Sequence, residues 1–383
     1  MSKEIANILL PPDVQFGAGC FQNLPRKTRQ FGMKRPLIVA DAAMTRIGLT
    51  GKAEDLCKGA ELIYSIYDQG TENPKVAEVS AGAEAYTSGD CDGLIALGGG
   101  SVMDLAKAIR VVTAYGGSAL DYDLSKGGMK KIGPDQPPLI AIPTTSGTGS
   151  EATMAAVITD PGRHLKFVLL SPFMRVSSAL LDPELTLSMP PPVTAATGLD
   201  ALTHCIEAFV ARGYNPLAYG MCRTNFQLVG ASLKKAVESG SDIEARKDML
   251  MASMLGGMAL AQKHLGAVHA LAHPLSGTFG IPHGTANSIM LPHVMRFNAP
   301  AVGERYLEAI RIMGLKADSV DEAADAITRF SEQLDLPIRL ADVGVSEDAL
   351  ETMAEDALND MSLLANPATC TREDLLDLYR KAM

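Results

Sequence analysis

Five of the seven histidines fall between positions 264 and 293, in His264-Leu-Gly-Ala-Val-His269-Ala-Leu-Ala-His273, Pro282-His283-Gly284 and Pro292-His293. A second constellation lies upstream, in Thr197-Gly-Leu-Asp200-Ala-Leu-Thr-His204-Cys-Ile-Glu207-Ala. The pattern there is helical, and the four-residue spacing puts Asp200 and His204 on one helix face. His269 and His273 repeat that spacing, and the small residues Gly266, Ala267, Ala270 and Ala272 around them would let another helix approach closely. One carboxylate with neutral imidazoles suits a divalent transition metal such as iron(II) or zinc, which accept N and O donors at about 2.0–2.2 Å. Magnesium and calcium fit poorly, because they want nearly all-oxygen shells. A lone histidine is ordinarily a core or surface residue; two i,i+4 pairs plus a Pro-His-Gly turn favour a metal site.

A different chemistry is suggested by Leu94-Ile-Ala-Leu-Gly98-Gly-Gly-Ser101-Val-Met-Asp104-Leu-Ala-Lys107, which runs strand, glycines, helix. Glycines let backbone N–H groups approach a pyrophosphate, and the helix N-terminus behind them favours negative charge. The pattern is neither Gly-x-Gly-x-x-Gly nor a Walker loop, and such turns are often purely structural. A second polar loop, Pro143-Thr144-Thr145-Ser146-Gly147-Thr148-Gly149-Ser150-Glu151, follows another strand end, where ligands collect in open α/β sheets. Two such loops point to a dinucleotide. Asp41, at the end of Ile-Val-Ala-Asp41, either caps the next helix or accepts ribose hydroxyls; in the second reading it favours NAD(H) over NADP(H).

The elements that must position these groups divide along the chain. Its 383 residues suggest two domains, and 47% hydrophobic residues allow substantial cores. Residues 1–187 alternate short β-branched runs with helical stretches, as an α/β sheet domain does; strands are expected at 36–40, 61–67, 93–97 and 138–142. The prolines of Ser188-Met-Pro-Pro-Pro192 mark a boundary. Residues 188–383 read as all-helical, with stretches at 193–212, 216–238, 245–277, 285–299, 302–314, 319–335, 346–358 and 372–382. The Met249, Met251, Met254 and Met258 series is core filling rather than a metal feature. No apolar run approaches the roughly 18 residues of a membrane span, the N-terminal segment has no signal-peptide pattern, and the six scattered cysteines form no Cys-x-x-Cys pair. A soluble protein of the reducing cytoplasm is expected. A net charge of −10 argues against nucleic acid as a partner.

Together the two polar loops, the Asp200/His204 segment and Val268-His269-Ala-Leu-Ala-His273-Pro with Pro282-His283-Gly284 resemble the iron-containing (group III) alcohol dehydrogenases, over almost the full length. The resemblance implies a dehydroquinate synthase-like fold, an α/β dinucleotide-binding domain followed by an all-α domain with the active site in the cleft between them. It implies metal ligands at Asp200, His204, His269 and His283, with Fe2+ ahead of Zn2+, and His273 as a proton relay or an orienting neighbour. It also implies NAD(H) contacts at Asp41, Asn73, Gly99, Gly100, Ser101, Asp104, Thr144, Thr145, Thr148 and Lys166, a small alcohol or aldehyde as substrate, and a homodimer. Departures from the family pattern fall at Leu260-Ala-Gln-Lys263-His264-Leu-Gly, at Ala155 and at Ser362, so Ala155, Leu260, His264 and Ser362 are the positions expected to shape the substrate pocket.

The reaction so implied is hydride transfer between a carbinol carbon and nicotinamide, with the metal polarising the substrate oxygen. His264, about 140° round an ideal helix from His269, is not expected to be a fifth ligand. With Lys263 it forms either a cationic feature at the substrate entrance, favouring acidic or phosphorylated aldehydes, or an exposed polar pair. Two rival readings are an NAD- and metal-dependent lyase of the dehydroquinate synthase type and a non-catalytic nucleotide or metal sensor.

Overall fold

The computed structural model describes residues 6, 8–10, 12–162 and 165–383, without the side chain of Leu165. The N-terminal segment read above for a signal peptide lies outside them, apart from Ala6. Two compact units are present: one comprises Pro11–Thr145 and Ser150–Thr186, the other Leu187–Met383, Ser146–Gly149 and the described residues of Met1–Leu10. The polar loop is thus shared, its middle four residues going with the helical unit.

In the first unit, strands β1 (Asp13–Phe16), β2 (Pro36–Asp41), β3 (Ser65–Gly70), β4 (Gly93–Gly98) and β5 (Leu139–Pro143) join β8 (Ser178–Leu181) in one parallel sheet. β6 (Ala155–Asp160) and β7 (Leu165–Leu170) form a separate antiparallel pair. Between the strands run helices α1 (Leu24–Gln30), α2 (Ala42–Arg46), α3 (Leu49–Gly59), α4 (Val76–Ser88) and α5 (Gly100–Tyr115). Every residue of β4, β5 and β8 is buried, which is why these runs are apolar without alternation. The sheet order is β1-β8-β5-β4-β2-β3. The chain steps outward from β2 to β3 and returns to β4 on the other side of β2, so a topological switch point lies between the C-terminal ends of β2 and β4.

Three local features differ from the sequence reading. β3 begins at Ser65 rather than 61, because Glu61 takes a left-handed conformation (φ 58°) and Leu62 N–H still bonds back to Cys57 O at 3.0 Å. The four-residue strands β1 and β8 were too short to register as periodic runs. The β6/β7 pair was also not anticipated; its first strand alternates half-buried and buried residues.

The second unit holds α6 (Pro191–Val210), α7 (Pro216–Glu238), α8 (Ile243–Lys263), α9 (Ala267–Phe279), α10 (His283–Ile312), α11 (Val320–Glu332), α12 (Leu350–Leu358) and α13 (Arg372–Ala382). α6 is buried nearly all round, so it is the central helix of this unit. The stretch expected as one helix over 245–277 is two. His264 has φ 65° and ψ 179°, a conformation no α-helix contains, and ends α8. The angular relation expected between His264 and His269 therefore does not apply. The two helices expected at 285–299 and 302–314 are both present as the two arms of α10, which meet at a kink where Val302 (φ −144°, ψ 21°) leaves helical geometry two residues after Pro300. Among the described residues no helix is long and apolar enough to cross a membrane.

Candidate metal centre and nucleotide loops

α6 carries Asp200, His204 and Glu207 at positions i, i+4 and i+7, all buried. α9 contributes His269 and His273, and α10 contributes His283 as its first residue. One ligating atom each from Asp200, His269 and His283 lies within 4.8 Å of the others. From Asp200 Oδ1 the distances are 3.6 Å to His204 Nε2, 3.7 Å to His269 Nε2 and 3.9 Å to His283 Nε2. His204 stands beside the cluster of three, its ring stacked on that of His269 with centroids 4.8 Å apart. His273 is outside it; its ring stacks on His283 and its Nδ1 stands 2.6 Å from Asp360 Oδ2. A close approach of α10 to α6 makes this possible. A Cβ on Gly284 would fall 2.0 Å from Ala196 O, so only glycine lets the His283 turn come this near.

The electrostatics are those of a cation site. Burial alone would raise the Asp200 pKa, but His204, His269 and His283 outweigh it and hold the carboxyl well below its usual range. Burial drives the imidazoles of His204 and His283 toward the neutral, ligating form. For His269 burial acts in the same direction, yet the adjacent Glu207 and Asp200 carboxylates prevail and raise it to about 9. Three imidazoles thus share a dry pocket with the Asp200 and Glu207 carboxylates, and a cation bound at His269 Nε2 would take the place of the proton that these carboxylates favour there. Their donor set, one carboxylate oxygen and imidazole nitrogens, fits a divalent transition metal.

Three residues that sequence reasoning left without a role belong to this site. Glu207 Oε2 lies 2.6 Å from His269 Nδ1; its signal was the i+7 spacing from Asp200. Asn287 Nδ2 donates to Asp200 Oδ1 at 2.8 Å and stands 3.2 Å from His269 Nε2; its signal was the i+4 spacing from His283. Asp360, 87 residues from His273, had none.

On the sheet unit, Asp41, Gly99, Gly100, Ser101, Thr144 and Thr145 all lie at C-terminal strand ends or just beyond, Asp41 and Gly99 flanking the switch point. Thr144 N–H bonds Gly98 O at 3.1 Å, and a Cβ on Gly99 would come within 3.3 Å of the Thr145 side chain, so the two loops touch. Thr144 Oγ1 is buried without a hydrogen-bond partner, as a group awaiting a ligand would be. The N-terminus of α5 opens at Gly100. These features fit a bound pyrophosphate. Asp41 does act as a helix cap, accepting from Met44 N–H at 2.9 Å, which leaves its second oxygen for a further donor. Ser101 Oγ bonds the Glu72 carbonyl. Asn73 and Lys166 are exposed, and Thr148 lies in the segment that goes with the helical unit.

Asp104 is engaged within the protein: Oδ1 accepts from Ser150 Oγ at 2.8 Å and Oδ2 from Val157 N–H at 3.0 Å. Beside it the fully buried Lys107 donates to Ser150 O, Ser150 Oγ, Thr153 Oγ1 and Ala155 O, all within 3.0 Å. This pair ties α5 to the end of the polar loop and to β6. Ala155 therefore sits on a firmly held strand, whereas Leu260, His264 and Ser362 are on the helical unit.

Neither the cationic feature nor the exposed polar pair considered at 263 and 264 is formed. Lys263 is 4% exposed, and its Nζ donates to Ala211 O at 2.8 Å and to Gly213 O, capping the C-terminal end of α6. Burial lowers its pKa to about 8. His264 alone is exposed.

Residues 11–183 match the model of iron-containing alcohol dehydrogenases, and residues 194–383 match the C-terminal model of the Fe-containing alcohol dehydrogenase family. The chain is 38% identical to 4-hydroxybutyrate dehydrogenase of Cupriavidus necator over 375 residues, covering 95% of this chain and 96% of that protein. It is 35% identical to lactaldehyde reductase of Escherichia coli K12 over 381 residues, 98% of this chain and 99% of the relative. A solved sulfoacetaldehyde reductase from Bifidobacterium kashiwanohense, in complex with NAD+, superposes with a TM-score of 0.91 at 31% identity, covering 99% and 98% of the two chains. With a metal-type donor cluster on one unit and a nucleotide-type switch point on the other, this chain belongs to the iron-containing alcohol dehydrogenase family and is a metal-dependent oxidoreductase that interconverts alcohols and aldehydes.

Proposed function

We propose that the chain reduces small aldehydes, or oxidises the matching alcohols, with NAD(H) and one divalent metal, iron(II) before zinc, held by Asp200, His204, His269 and His283. The observation that carries the reading is the convergence of Asp200, His269 and His283 within 4.8 Å. When bound, the metal supplies a Lewis acid for the substrate oxygen and the nicotinamide supplies or accepts the hydride. The rest falls to the protein. Gly99, Gly100 and the α5 N-terminus hold the pyrophosphate, and Asp41 takes the ribose hydroxyls and disfavours a 2′-phosphate. Asp360 receives Nδ1–H of His273, which leaves Nε2 free to take the alcohol proton in oxidation and return it in reduction.

Lys263 contributes no charge to substrate recognition, because it is spent on backbone carbonyls. Preference for an acidic over a neutral aldehyde therefore rests on His264, Leu260, Ala155 and Ser362. Six unpaired cysteines support a reducing, cytoplasmic setting. The homodimer expected from the family is tested by light scattering on the purified chain.

The reading is tested by anaerobic oxidation of NADH and NADPH on metal-stripped protein resupplied with iron(II) or zinc, across neutral, acidic and phosphorylated short aldehydes. Turnover that returns with metal and prefers NADH supports it. Confirmed NADH binding without turnover on any aldehyde and metal would return the lyase or sensor readings.

A further inference from the structure

Glu207 is a buried carboxylate to which the reaction chemistry gives no task. Its side chain is acceptor-only when ionised, and it receives three donors from the start of α9. Oε2 accepts from Gly266 N–H at 2.9 Å and faces His269 Nδ1 at 2.6 Å; Oε1 accepts from Val268 N–H at 2.6 Å. The first-turn N–H groups of a helix have no partner within it, and Gly266, at the N-cap, has no side chain to serve them. Glu207 caps α9 from another helix, and Asn366 Oδ1 accepts from Ala267 N–H at 3.1 Å. Glycine at 266 leaves room for both caps: a Cβ there would lie 3.0 Å from Glu207 Oε1 and 2.9 Å from Asn366 Oδ1 and would press on the two capping side chains.

The proton on His269 follows from two independent contacts. A carboxylate oxygen beside Nδ1 accepts, so Nδ1 carries the hydrogen. At the other end of the ring, Nε2 faces Asn287 Nδ2 at 3.2 Å. The orientation of that amide is set by its 2.8 Å bond to Asp200, which also only accepts, so the group facing Nε2 is a donor and Nε2 presents a lone pair. Both contacts select the tautomer whose Nε2 ligates.

We infer that Glu207 is a positioning residue of the metal centre: a single carboxylate fixes the tautomer and plane of the His269 ring and anchors the first turn of α9. The ligand on α9 is thereby locked to Asp200 and His204, which share α6 with Glu207. This rests on His269 being a ligand, as proposed above. Partners of this kind typically change metal affinity 10–100-fold when replaced.

The test uses the full-length protein and two readouts besides turnover. Cobalt(II) titration of wild type and Glu207→Gln gives the metal dissociation constant and the visible d–d spectrum; NADH binding and far-UV circular dichroism report on the fold. The expected result is a dissociation constant raised about 10–100-fold with an altered spectrum, unchanged NADH binding, and partial recovery in Glu207→Asp. Should Glu207→Gln misfold, nitrogen-15 histidine NMR of zinc-loaded wild type tests the same point without a variant: Nδ1 of His269 should carry hydrogen and Nε2 should bear the metal shift. Equal cobalt affinity and spectra in wild type and Glu207→Gln overturn the inference alone, as does metal on Nδ1 of His269. Wild type that binds no metal overturns the proposed function and this inference together.

Discussion

The rings of His273 and His283 stack with centroids 5.4 Å apart and planes 9° from parallel, although only His283 belongs to the cluster of ligating atoms. One face of His283 is thereby covered by a residue that does not share its role. Replacing His273 should accordingly separate metal content from turnover. His273→Ala is predicted to keep its metal, measured by elemental analysis, and to lose about 100-fold or more in kcat, the range of a general acid–base group. Asp360→Asn, which removes the acceptor for Nδ1, should reproduce part of that loss. A metal-free His273→Ala protein would move His273 into the ligand set.

Gly284 offers a steric test of how the α10 ligand is placed. The Cβ of Gly284→Ala would meet backbone at 2.0 Å, which no side-chain rotation relieves. Denaturant unfolding should show a loss of about 1–3 kcal/mol, as for other overpacked sites, together with weaker metal binding as His283 is displaced. Gly220→Ala, in α7 with nothing within 4 Å, is the control and should be neutral or stabilising.

His264 occupies backbone space that is nearly exclusive to glycine, at φ 65° and ψ 179°. His264→Gly is predicted to stabilise the protein by about 1 kcal/mol in denaturant unfolding, the low end of such strain, without changing metal content. A shift in the relative rates on acidic and neutral aldehydes would show that this strain is retained for substrate choice; unchanged rates would leave the choice to Leu260, Ala155 and Ser362.

The pH dependence of stability should carry the mark of Glu151. Its carboxyl is fully buried, Oε1 has no hydrogen-bond partner, and burial pushes its pKa from 4.5 up to about 7, with Lys107 opposing. A folded-state pKa above the unfolded one gives stability that is complete below pH 4.5 and lost as pH rises toward 7, because the unfolded chain releases the proton first. Relative to Glu151→Gln, the wild type should lose on the order of 3 kcal/mol across that window. Parallel stability curves for the two proteins from pH 4.5 to 7.5 would contradict this.

How far the sequence could be read depended on whether a residue's partners lay on its own helix. Asp200 and His204 share a face of α6, so their spacing announced the site, and Glu207 and Asn287 were within reach of the same i+7 and i+4 logic but look like ordinary polar residues in isolation. Asp360 meets His273 only through the tertiary fold. The break at His264 was missed because its positive φ falls on a non-glycine residue, and because Gly266, the N-cap of α9, was read as a small residue admitting another helix rather than as a helix boundary. Lys263 looked like a surface charge because nothing local shows that its Nζ reaches carbonyls about fifty residues earlier. The parallel strands were legible because burial on both sides makes them uniformly apolar; β1 and β8, at four residues each, were not.

The most direct test is a stoichiometric titration of metal-stripped protein with iron(II) under anaerobic conditions, following aldehyde-dependent NADH oxidation in wild type and His269→Ala. The account predicts that wild-type activity rises linearly and breaks at one iron per chain, and that His269→Ala shows no such break. Full wild-type activity in the metal-free protein, or an unchanged titration in His269→Ala, would contradict it.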